Sequence, residues 1–221
     1  MAAVAPGTTV PLEAPTSLLV LPSAPNSARV LATGASLSGY VVTLFDCPTP
    51  LPVNAAGIGS GSCGAMGAFD GEFGGQAYPS VAAARAAVTP PPGGPLGCDR
   101  VSRVALQPGV TATLYAAPPP QGNCQAVWHQ GSWTFTLSGD LNGGVSGDPT
   151  EPWPLIAKSV VAFVGRHRPP PTPGWFTCDV AADGLHTDLR WARGADVYTA
   201  GAFHQAIPAL GLAIAMSPYP G

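Results

Sequence analysis

The stretch Asp140-Leu-Asn-Gly-Gly-Val-Ser-Gly-Asp-Pro-Thr-Glu151 carries the clearest chemical pattern in the chain. Oxygen-bearing side chains fall at Asp140, Asn142, Ser146, Asp148 and Glu151. That is the spacing of a twelve-residue calcium loop, with Glu151 placed as the two-oxygen ligand. Val145 stands where such a loop needs Gly, Gly144 offers no side-chain ligand, and the flanks read as strands rather than helices. A long hairpin loop needs the same Gly, Asp and Asn for its turns alone. These five residues are therefore weak calcium candidates.

His186 and Asp188 lie two apart, close to Asp179 and Asp183. On a strand, His186 and Asp188 share one face. The set can be read as a metal site or, more simply, as an exposed polar strand face. Gly59-Ser-Gly-Ser-Cys-Gly64 has the form of a nucleophile elbow but lacks the strand and helix that such an elbow joins. The four histidines, 129, 167, 186 and 204, stand apart from any partner motif. There is no glycine-rich phosphate loop. No catalytic constellation emerges, so no enzyme activity and no cofactor are expected. Five tryptophans, 128, 133, 153, 175 and 191, raise the possibility of sugar stacking. Trp128 and Trp133 lie on consecutive expected strands and would make a cross-strand pair. Burial in a core is the simpler role.

Composition sets the frame for these residues. Of 221 residues, 28 are Gly and 27 are Pro, only 10% are charged, and the net charge is −3. This excludes a long-helix bundle, a coiled coil and a binder of nucleic acid driven by basic charge. With 46% hydrophobic residues the chain is also unlike a disordered one. Arg166-His-Arg168 reads as a solvated turn before Pro169-Pro-Pro171. No apolar run is long enough to span a bilayer. Residues 1–28 lack the charged start and unbroken apolar run of an export signal. Among five cysteines, Cys47 with Cys63 and Cys98 with Cys124 are the candidate disulfides, with one thiol left over. Five buried thiols would suit the same sequence.

The elements that must position these groups are mostly strands. Short β-branched and aromatic runs between Gly/Pro clusters predict strands at 28–32, 40–46, 101–106, 111–116, 125–129, 132–137 and 158–164. Ser132-Trp-Thr-Phe-Thr-Leu137 alternates most cleanly. A helix is expected at Ser80–Val88, capped by Ser80 and stopped by prolines. Three more strands are expected around 175–176, 185–191 and 197–198, then a helical turn or two within 200–207. The division is an extended arm at 1–28, a β-sandwich at 29–165 and a β-rich extension at 166–221. In the arm, Leu18, Leu19, Val20 and Leu21 are an apolar run suited to adding a strand to this sheet or a neighbour's. The tail from Met216 reads as a second arm.

An internal repeat runs through the middle. Ala28-Arg-Val30 and Val41–Pro50 are echoed by Ser102-Arg-Val104 and Thr111–Pro120, and Gly61-Ser-Cys by Gly122-Asn-Cys. The second copy, within residues 98–165, resembles the Greek-key motif of the βγ-crystallins. Tyr115 and Gly122 match two of that motif's three positions, and Pro120 replaces its middle aromatic. In the first copy, Phe45 matches and Pro52 stands where Gly belongs. Of the family's calcium signature, only Asp99 and Ser102 match. The resemblance implies a Greek-key β fold and does not carry calcium binding with it.

The expectation is a mainly β, Greek-key β-sandwich with long Pro/Gly-rich loops and extended N- and C-terminal arms. Its expected function is that of a non-catalytic structural subunit of a larger assembly, such as a capsid, decoration, neck or tail component of a phage or virus. Its partners would be copies of itself and other structural subunits, not nucleic acid or membrane, in a virion or extracellular assembly. The alternative is a secreted, crystallin-like binding module that takes a peptidase, a glycan or calcium.

Overall fold

The computed structural model describes residues 1–17, 28–58, 63, 69–91, 93–117, 123–139, 141, 153–181, 184–203 and 206–219. Among these, the chain is mainly β. The strands are β1 (Glu13–Pro15), β2 (Ala28–Ser36), β3 (Gly39–Cys47), β4 (Phe69–Ala77), β5 (Arg100–Gln107), β6 (Val110–Ala116), β7 (Asn123–Gln130), β8 (Trp133–Gly139), β9 (Gly174–Ala181), β10 (Gly184–Arg193), β11 (Asp196–Phe203) and β12 (Met216–Pro218). Three helices are α1 (Val81–Ala87), α2 (Trp153–Arg166) and α3 (Ala206–Ala215).

Ten strands form one hydrogen-bonded sheet in the order β2-β3-β4-β11-β10-β9-β8-β7-β6-β5. Neighbours are antiparallel except β8 and β9. A hairpin cannot join parallel strands, so the chain needs a crossover there, and α2 lies in that connection. Strands β9–β11 sit at the centre of the sheet. Residues 166–221 therefore complete the sheet rather than extend it. The two copies of the internal repeat contribute the hairpins β2–β3 and β5–β6, which lie at opposite edges.

The run 158–164 is helical, not a strand. Its Val and Phe content favours a strand locally. Over a longer window the buried positions are 153, 156, 157, 160, 161 and 164, which is helical spacing. Pro154 sits in the first turn, where a missing N–H costs little. Helix α3 begins after β11, which runs on to Phe203 where a helical turn was expected. It is apolar almost all round, as its burial requires.

Alternation along the strands divides the sheet into two faces. The inner face carries Trp128, Trp133, Phe135, Phe176, Trp191 and Tyr198, all nearly inaccessible. Their rings form a continuous chain of contacts: Trp128 stacks on Phe135 at 5.3 Å between centroids, Phe135 meets Phe176 at 5.5 Å and Trp133 at 6.3 Å, Trp133 meets Trp191 at 6.4 Å, and Trp191 stacks on Tyr198 at 5.9 Å. Helices α2 and α3 belong to this same core.

The N-terminal segment closes the rest of the inner face. Val4 and Val10 are buried in the core. Tyr40 Oη accepts from the Glu13 N–H at 2.9 Å and donates to the Glu13 carbonyl at 3.0 Å. Tyr198 Oη donates to the Pro11 carbonyl at 3.0 Å. Strand β1 pairs with β12 of the same chain. The described parts of both arms are thus engaged with their own domain and with each other. Leu18, Leu19, Val20 and Leu21 lie outside the described residues. Disulfides join Cys47 to Cys63 near the β2 edge and Cys98 to Cys124 near the β5 edge. Cys178 is a buried thiol, and burial pushes its pKa up to about 12.

Candidate functional site

The outer face of the sheet is polar because each strand alternates. On β8 the outward residues are Thr134, Thr136 and Ser138; on β9 they are Trp175, Thr177 and Asp179; on β10 they are His186, Asp188 and Arg190. Helix α1 covers one end of this face. Ser80 caps it, accepting from the Ala83 N–H at 3.1 Å. Ala84 and Val88 then pack on Ala192 and Val197. From this anchor the chain crosses the face through Thr89–Pro91 and Gly93–Gly94. Gly94 lies flat on the Tyr115 ring, and a Cβ at that position would run into it.

Beneath this strap is a cleft of about 570 Å³, lined by Tyr115, Gln125, His129, Thr134, Thr136 and Trp175 among others. Its polar groups are organised in cross-strand pairs. Trp175 Nε1 donates to Thr136 Oγ1 at 3.1 Å, and Thr134 Oγ1 lies 3.1 Å from His129 Nδ1. Tyr115 and Trp175 supply aromatic surface, and the other lining residues supply hydroxyl, amide and imidazole groups. No carboxylate lines the cleft among the described residues. Such a site offers no carboxylate to a cation among the described residues and several hydrogen-bonding groups to a hydroxyl-rich neutral molecule.

Two smaller hollows continue across the face. One lies between Trp175, Thr177 and Arg190, which pairs with Trp175 across the strands. The next is lined by Glu72, His186, Asp188 and Phe203. Glu72 and Asp188 flank Gly201 on adjoining strands. Burial, and then the Asp188 charge, raise the Glu72 carboxyl above its ordinary value. His186 meets the Phe203 ring edge-on at 4.4 Å.

Asp179 lies opposite His186 across the strands and accepts from Ser138 Oγ at 3.1 Å. Asp183 lies outside the described residues. Among those residues, no three His, Cys, Asp or Glu side chains form a metal-holding group. The calcium candidates Asp140, Asn142, Ser146, Asp148 and Glu151 also lie outside them, as do residues 59–62 and 64 of the elbow-like sequence. Trp128 and Trp133 are core residues rather than sugar platforms, and Trp128 stacks on Phe135 instead of pairing with Trp133. The outward tryptophan is Trp175, partly exposed beside the cleft. Its signal was the alternation Trp175, Thr177 against Phe176, Cys178, Val180.

The chain matches no protein-family model, and comparisons with characterised proteins and with solved structures give no match.

Proposed function

We propose that the protein is a non-catalytic binding module whose uncovered sheet face holds a neutral, hydroxyl-rich ligand of the glycan class. The cleft beneath Thr89–Pro91 and Gly93–Gly94 carries this reading, because two aromatic residues and several hydroxyls line it with no carboxylate among the described residues. Two disulfides suit a module that works in an oxidising compartment, such as an extracellular one. The crystallin-like, Greek-key resemblance of residues 98–165 enters as an analogy for a bridged β module of this kind. The other reading, a structural subunit of a virion or other assembly, would use terminal arms for exchange with neighbours. Residues 12–16 and 215–219 are hydrogen-bonded to one another, which weighs against it.

The experiment is a screen of neutral oligosaccharides followed by calorimetry on the best of them. Trp175→Ala is expected to weaken binding by about tenfold or more, since it removes the large aromatic contact at the edge of the cleft. The reading is overturned if no neutral oligosaccharide is retained, or if the variant binds as the parent does.

A further inference from the structure

On the covered side of the sheet, where α2 and α3 end, a second cleft of about 730 Å³ opens. Its apolar floor is Trp133, Val164, Ile214 and Met216, and the segment Arg168–Pro171 forms one wall. That wall is stiff. Trp133 Nε1 donates to the Pro170 carbonyl at 2.9 Å, Ser132 Oγ donates to the Thr172 carbonyl at 3.1 Å, and consecutive prolines fix their own φ. Size and lining are those of a small-molecule site.

Four polar side chains line this cleft among the described residues: Arg168, Arg193, Gln130 and Ser132, whose hydroxyl proton is already donated to the Thr172 carbonyl. Arg193 is held from behind. Its Nη1 donates to Glu13 Oε1, and its guanidinium lies 5.9 Å from the Tyr198 ring centroid. This pair is neutral in sum. Arg168 is exposed and has no acidic partner among the described residues, so the cleft keeps one net positive charge. Gln130 Nε2 donates to the Val161 carbonyl at 3.4 Å, while its Oε1 is buried without a hydrogen-bond partner. An acceptor in that state calls for a donor from an occupant.

We propose that this cleft binds a single-chain amphiphile whose head carries a carboxylate beside an N–H donor, as an N-acyl amino acid does. The acyl chain covers the apolar floor. The carboxylate pairs with Arg168 and with the edge of Arg193 turned away from Glu13. The N–H meets Gln130 Oε1. This site lies on the opposite face from the glycan cleft and does not depend on it.

The test is calorimetric titration of the full chain with monomeric N-dodecanoylglycine and with its neutral methyl ester. The acid is expected to bind about tenfold more tightly than the ester, as a charge-assisted pair requires. Arg168→Gln brings the acid down to the level of the ester and leaves the ester unchanged. Gly165 lines the cleft from the last turn of α2, and a Cβ there meets nothing within 4 Å. Gly165→Phe therefore has room for its Cβ, places a ring in the cleft and abolishes binding of both compounds. Failure of the acid to bind overturns the proposal. So does equal affinity for acid and ester, or an unaltered affinity in either variant. Trp175→Ala leaves binding of the acid unchanged, so the two sites are judged separately.

Discussion

The indoles of Trp133 and Trp191 meet over Gly174, with ring centroids 6.4 Å apart. Gly174 is the register partner of both, on the strand between them. A Cβ at 174 would run into the Trp133 indole. The middle strand thus gives up a side chain so that two large rings can share its place. Gly174→Ala is expected to destabilise the fold by about 1–3 kcal/mol, the usual cost of overpacking a core. Urea unfolding measures this, and an unchanged midpoint would show that the rings can part.

Trp191 Nε1 is buried without a hydrogen-bond partner. Trp191→Phe removes that orphan donor along with some volume. Its cost should fall clearly below the roughly 3–5 kcal/mol expected of Trp191→Ala. Equal losses in the two variants would mean that packing alone sets the value of this residue.

Gly94 is required by the strap rather than by the core. Gly94→Val should push Gly94 away from Tyr115 and reshape the outer cleft. Oligosaccharide binding should fall about tenfold or more, because a displaced strap no longer completes the contact surface around Tyr115. The unfolding midpoint should move little, since Gly94 is exposed. Calorimetry and urea unfolding on one preparation separate the two effects.

Burial raises the Glu13 carboxyl above its usual value, and Arg193 offsets this only in part. Between the ordinary and the raised value, the folded state binds more protons than the unfolded one. Stability then falls as pH rises through that window and recovers on acidification. Glu72 and Asp196 are shifted in the same direction. Glu13→Gln should therefore make stability less dependent on pH in the mildly acidic range. A variant with the parent's slope would remove Glu13 from this account.

The two disulfides close loops of 16 and 26 residues in sequence separation. Replacing either pair by alanines should cost about 3 kcal/mol, chiefly by freeing the unfolded chain. Cys178 should stay unlabelled by thiol reagents in the folded protein, because its pKa of about 12 leaves almost no thiolate near neutrality. Rapid labelling without denaturant would contradict its burial.

The β class was legible because strands such as β8 alternate cleanly. Trp133, Phe135 and Leu137 turn inward, and Thr134, Thr136 and Ser138 turn outward. Helix α2 was not legible from 158–164 alone, where β-branched residues mask a helical period that shows only when Trp153 and Ile156 are included. The central position of β9–β11 was not legible at all. The stiff prolines 169–171 look like a spacer, and pairing between strands distant in sequence leaves no local mark. The outer cleft was half legible: the clean alternation of β8 set Thr134 and Thr136 opposite Trp133 and Phe135, but Trp175 was one of five tryptophans with nothing to single it out, and Gly94 is one glycine among many.

The pairing of β4 with β11 also sets an order of events during synthesis. Strands β2, β3 and β4 can zip together, and Cys47 can find Cys63, while most of the chain is still unmade. Strand β4 then presents a bare edge until residues 196–202 emerge to pair with it. Such an edge invites pairing with another nascent chain. Three glycines in that waiting strand, Gly71, Gly74 and Gly75, and the polar Glu72 and Gln76 make it a poor template for strangers. The molecule's last long strand is thus the one that joins its earliest hairpin to the rest of the sheet.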